Sequence, residues 1–289
     1  MDNDDAPVGT IYTRREALTI AARAGLGLTA GGLFTFATAQ GIQKVDKPKI
    51  NLIASPELTE GPFFVDEKLD RANLLAGTTR PSVIKGTTLD LEILVYKLTG
   101  ETHAPLGLAQ IDIWHCDTKG VYSDENHPMN HENTAKQTWL RGYQLTDTHG
   151  MAKFHTIVPG WYNGRAPHIH FKIRTFSKKM QATAEFTSQF FFSDEDIKKV
   201  YAKDPYRERG TADTPNSRDG IYSTRQIDGT AAGSHMLLEL QPAKSGNGHT
   251  AKFVVVLTDK NFREGRRGFG GGPGGPPPGG GFGGGWEAF

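Results

Sequence analysis

Short runs in which apolar and polar residues alternate recur through the middle of this chain, each closed by turn residues, and no other feature restricts the fold as much. In Thr87 to Leu98, Leu89, Leu91, Ile93 and Val95 share one parity while Asp90 and Glu92 take the other, which is the pattern of a half-buried strand. Comparable runs are Ala109 to His115, Arg141 to Thr146, Ala152 to Val158, His168 to Thr175, Thr187 to Phe192, Met236 to Gln241 and Lys252 to Leu257. Thr99-Gly100, Lys119-Gly120, Asp147 to Gly150, Pro159-Gly160 and Ser245 to Gly248 supply the turns between them. About eight short strands predict an all-β fold, an antiparallel β-sandwich with long loops. One short helix is predicted from Asp194 to Ala202, with Ser193 as its cap, acids in the first turn and Lys198, Lys199 and Lys203 toward its end. The polar stretch from Lys203 to Ser234 is long enough for a functional covering loop. Two prolines and a glycine between Ser55 and Phe64 rule out a regular helix and predict an extended arm lying on the domain.

Both ends differ from this middle. Thr13-Arg14-Arg15-Glu16-Ala17-Leu18 opens a segment that becomes apolar from Leu26 to Ala39 and closes on the small-x-small pattern Ala37-Thr38-Ala39. Residues 1–39 therefore read as a twin-arginine export signal, 40–54 as a leader, 55–264 as the folded domain and 265–289 as a Gly/Pro-rich tail that cannot pack a core. The expected location is periplasmic or extracellular, with no stable membrane insertion after cleavage and a mature chain starting near Gln40. The tail's Phe269, Phe282, Trp286 and Phe289 leave its partner unknown. With 33 Lys+Arg against 32 Asp+Glu, the formal charge is +1 and gives no reason to expect nucleic acid as a partner. The single cysteine, Cys116, excludes an intramolecular disulfide and reads as a small core thiol ending a buried strand.

The chemistry concentrates in Thr156 to Thr175. His168 and His170 share one parity of their strand while Ile169, Phe171 and Ile173 take the other, so one face is apolar and the other can hold a metal. Tyr162 and Arg165 lie between the Pro159-Gly160 turn and these histidines. With Tyr122, following Gly120, they suggest a set of two phenolates and two imidazoles. Such an anionic, oxygen-rich set favours a hard trivalent cation such as Fe(III) over zinc or copper. An H-x-H pair on a strand also occurs in zinc and copper sites, and exposed paired histidines need bind nothing.

The motifs Leu58 to Phe64, Ile113 to Asp117, Gly120 to Asp124, Leu140 to Gln144, Thr156 to Tyr162, Arg165 to His170 and Thr187 to Phe192 resemble, in order, those of the intradiol ring-cleavage dioxygenases. The resemblance is strongest to secreted members like the protocatechuate 3,4-dioxygenase β-subunit. It implies one non-haem Fe(III) per chain, with Tyr162 and His168 as axial ligands and Tyr122 and His170 as equatorial ones. It further implies a catechol-type substrate, O2 and a muconate-type diacid product. Tyr162 would take a substrate proton, Arg165 would stabilise developing charge and Gln189 would help position the ring. The reading leaves room for a homo-oligomer. A non-catalytic exported protein that binds metal or catechols is the alternative on the same ligands.

Overall fold

The computed structural model describes residues 53–264; the signal segment, all but the last two residues of the leader and the Gly/Pro tail lie outside the described residues. Each alternating run but that from Met236 to Gln241 becomes a single strand. In chain order the strands are β1 (Thr88–Thr99), β2 (Thr102–Pro105), β3 (Gln110–Trp114), β4 (Arg141–Leu145), β5 (Met151–Ile157), β6 (His168–Phe176), β7 (Ala182–Phe192), β8 (Leu237–Leu238), β9 (Gln241–Pro242), β10 (His249–Thr258) and β11 (Arg263–Glu264). One sheet runs β2-β1-β10-β9, with β5 also paired to β1; the other runs β11-β7-β6-β3-β4, with β8 beside β7.

Leu89, Leu91, Ile93 and Val95 of β1 and Phe253 and Val255 of β10 meet Ile169, Phe171 and Ile173 of β6 in one buried core. Phe190 of β7 spans the interface, stacked on Phe171 at 4.1 Å and edge-on to Phe253 at 4.9 Å. On the opposite face of β1, Glu92 sits between its cross-strand neighbours Lys153 and Lys252, at 3.0 and 2.6 Å. These opposite charges suit a solvated face.

The sandwich departs from the purely antiparallel expectation at two pairs. β1 runs parallel to β10, from Leu89 opposite His249 to Leu98 opposite Thr258, and β8 runs parallel to β7. Alternation decides which face of a strand is buried and says nothing about the direction of a neighbour distant in sequence. The predicted strand from Met236 to Gln241 divides instead into β8 and β9, which serve different sheets. β2 carries no apolar alternation and pairs only with the end of β1 through a tight hairpin, which is why the pattern misses it.

The predicted helix forms as α2 (Asp194–Tyr201), with the Ser193 hydroxyl accepting from the Asp196 amide and Ala202 as C-cap. A second helix, α1 (Pro81–Ile84), is a single turn that begins with proline, where the missing N–H costs nothing. The arm also forms, and it crosses from one sheet to the other. Ser55 N donates to Val256 O of β10, and Leu58 N donates to Thr187 O of β7. Phe63 is then buried against the outer face of the second sheet.

Candidate metal centre

Strand periodicity puts His168 and His170 on the outer face of β6, opposite the core residues, and both rings are buried. His168 Nδ1 lies 2.6 Å from the Ala166 carbonyl oxygen, which can only accept. The proton therefore sits on Nδ1, and Nε2 keeps its lone pair. That Nε2 is 3.0 Å from His170 Nε2 and 3.2 Å from Tyr162 Oη. Three of the four expected ligands thus meet through their coordinating atoms.

Tyr122 completes the group, its ring 5.8 Å from that of Tyr162 and 6.2 Å from that of His170. Its Oη is buried with no hydrogen-bond partner among the described residues. A buried hydroxyl left so costs about 1–3 kcal/mol, which a cation held among these four groups would offset. No cluster of three or more His, Cys, Asp or Glu forms a metal site among the described residues. The two phenols make this donor set, and they fit a hard trivalent ion such as Fe(III).

Burial holds both imidazoles well below their ordinary range, and for His170 the charge of His168 and then Arg165 adds to the effect. Both are neutral at pH 7, as a metal ligand must be. Burial pushes the Tyr162 phenol up to about 12 despite the pull of the Arg165 cation. It also drives Tyr122 well above its usual value, with the Tyr162 charge adding to it. Free of metal, both phenols keep their protons, so metal uptake must release two and strengthen with rising pH.

The loops that present the tyrosines are fastened to each other. Gly160 N donates to Asp117 O at 3.0 Å, and a Cβ on Gly120 would overlap the carbonyl of Trp161, so only glycine permits this approach. Buried Asp117 closes its own turn by accepting from the amides of Lys119 and Val121 at 2.8 and 3.0 Å. The backbone of Tyr122 is clamped: its N donates to Asn130 Oδ1 at 2.7 Å, and its O accepts from Thr134 Oγ1 at 2.6 Å. Cys116 packs among these aromatic residues with its thiol toward Gly160 O, a core thiol as its sequence context predicts.

Arg165 and Gln189, both expected at the site, are joined: Arg165 Nη2 donates to Gln189 Oε1 at 2.5 Å, and Gln189 Nε2 donates to Thr59 O at 2.8 Å. In the sheet, Gln189 stands opposite His170, and Trp114 stands opposite it on the other side. The Trp114 ring stacks on His170 at 5.0 Å and 8°. Sequence reasoning missed Trp114 and Phe63 as walls, and it missed Asp219, which lies within the predicted covering loop and binds Arg165 Nε at 2.8 Å. Nothing local separates Asp219 from the other acids of that loop; the only signal is its place in a long covering segment.

A family model described as "Dioxygenase" matches residues 59–220, more than half of the chain and all of the residues above. Among solved structures, the chain is similar to an intradiol ring-cleavage dioxygenase from Tetranychus urticae at 24% identity and a TM-score of 0.58, covering 72% of this chain and 95% of that one. A second dioxygenase structure gives a TM-score of 0.56 at 24% identity, covering 71% of this chain and 94% of that one. Both likenesses concern the fold. A catechol 1,2-dioxygenase of Acinetobacter baylyi is 30% identical over 112 residues, which is 38% of this chain and only 32% of that relative's length.

Proposed function

The chain belongs to the intradiol ring-cleavage dioxygenase family, and from that premise we propose that it is a non-haem Fe(III) enzyme that opens catecholic rings with O2 to muconate-type diacids. The observation that carries the reading is the meeting of Tyr162 Oη, His168 Nε2 and His170 Nε2 beside the unpartnered Tyr122 Oη. Bound by these four residues, ferric iron would supply the Lewis acidity that holds a catechol's oxygens and the electron acceptor that opens its ring to O2.

The two tyrosines have different tasks. Tyr122, clamped at amide and carbonyl, is built to stay where it is. Tyr162 hangs from the short loop after Pro159-Gly160, with its hydroxyl 3.2 Å from His168 Nε2. On this reading Tyr162 Oη is the atom that takes a proton from the incoming substrate, as the resemblance to the family implies. Arg165, a permanent cation beside Tyr162, stabilises negative charge that develops on the ring. Gln189 accepts from Arg165 and donates to Thr59 O, which supports a part in holding the guanidinium beside the ring. For the ends of the chain, export through residues 1–39 and a mature start near Gln40 complete the proposal; N-terminal sequencing of protein recovered from the periplasm or medium tests it.

The central test is the visible spectrum of iron-quantified protein, recorded during anaerobic addition of catechol and after admitting air. A tyrosinate-to-iron band that shifts with catechol and recovers in air, with muconate formed, is expected. Tyr162→Phe should keep iron and a changed colour while losing about 10²-fold in kcat, the usual scale for a proton-transfer group. A wild-type band that shifts and never recovers would identify a binding protein instead.

A further inference from the structure

Asp219 is completely buried, and its carboxylate accepts four hydrogen bonds that join two loops. Oδ1 takes the amides of Ile221 and Tyr222, from its own covering loop, at 2.8 and 2.9 Å. Oδ2 takes Arg165 Nε and Ala166 N, from the loop that leads into β6, both at 2.8 Å. The carbonyl of that same Ala166 receives the His168 Nδ1 proton. Four donors use the full accepting capacity of an ionised carboxylate, and the Arg165 cation balances its charge.

We infer that Asp219 is a positioning residue for the reaction, an inference that rests on the role just proposed for Arg165. It holds the guanidinium by its Nε edge while Gln189 holds Nη2, so the cation is fixed at two points. It also accepts from the amide of Ala166, which ties the covering loop to the loop that carries Arg165. The covering loop delivers this carboxylate from a rigid base. Asn216 Nδ2 donates to Phe192 O at 2.8 Å, and Tyr222 packs edge-on to Phe191 at 5.1 Å. Residues 54 apart in sequence are thereby made one unit.

Asp219→Asn keeps the shape but turns an oxygen that faces two N–H groups into an N–H donor. The expected result is a loss of about 10 to 100-fold in kcat with iron content and KM little changed. Because the loss passes through Arg165, Asp219→Asn/Arg165→Ala should be no slower than Arg165→Ala alone. Losses that multiply, or a wild-type rate in Asp219→Asn, would overturn the inference. A second readout needs neither iron nor turnover. In 1H–15N spectra of the metal-free protein, the Arg165 Nε–H signal should be protected from exchange in wild type and unprotected in Asp219→Asn; equal exchange in both would overturn the inference. If wild type turns over no catechol, the functional reading fails while this signal still decides the positioning role. Should Asp219→Asn not fold, Arg165→Lys keeps the cation but loses the Nε donor: a rate near that of Arg165→Ala supports the inference, and a rate near wild type sinks it.

Discussion

The two faces of β6 are both buried, and they are buried by different means. Ile169, Phe171 and Ile173 meet the opposite sheet through contacts that have no direction and tolerate any apolar neighbour of suitable volume. His168, His170, Lys172 and Arg174 face the other way, and each has its own neighbour on the arm or on an adjoining strand or loop. Gly61 lies against the His170 ring, Lys172 pairs with Glu60 over the face of Phe64, and Arg174 pairs with Asp66 and Asp112. The contrast teaches that this sandwich uses one face of a single strand for stability and reserves the other for chemistry. The cost is that every polar group on the second face must be satisfied individually.

The sharpest way to break the comparison is to truncate neighbours on opposite faces. Phe171→Ala should lose about 3–5 kcal/mol of stability in urea titration yet keep turnover per folded molecule. His170→Ala should change stability far less in the metal-free protein, lose its iron and lose at least about 10³-fold in turnover. Equal stability losses from both variants would erase the distinction.

A stability loss of the same size, without the loss of iron, should come from breaking a pair on the polar face. Arg174 lies 2.9 Å from buried Asp112, so Arg174→Met leaves that carboxylate without its cation and should cost about 3–5 kcal/mol. Arg174→Met/Asp112→Leu should recover most of that loss, because an apolar pair of similar volume needs no partner. If the double variant is as weak as the single one, the pairing argument is wrong.

Acid offers the mildest probe. His115, at the end of β3, is buried with Nδ1 donating to Cys116 O at 2.9 Å and Nε2 facing Thr156 Oγ1 at 2.6 Å. Burial lowers it to about 4. The unfolded state therefore binds a proton below about pH 6.5 that the folded state refuses until about pH 4, so stability falls with pH across that window. The shift corresponds to roughly 3 kcal/mol from this residue. Urea midpoints at pH 7 and 4.5 should show a shallower acid loss in His115→Gln than in wild type. The apolar face contributes nothing to that slope, and identical slopes in the two proteins would remove His115 as its source.

Much of this was legible in the sequence because it is local. Alternation located the long strands, Ser193 and its acids located α2, and the spacing from Tyr162 to His170 gathered a phenol, a guanidinium and two imidazoles on one loop and strand. What the sequence left open depends on residues far apart in the chain. The parallel pairing of β1 with β10, the arm that carries Phe63 over the tyrosines and the carboxylate that holds Arg165 each join distant segments. Periodicity records which face of an element is apolar, since that follows from the element's own geometry. Which distant group then meets a buried histidine or guanidinium was decided only when the two sheets, the arm and the covering loop closed on one another.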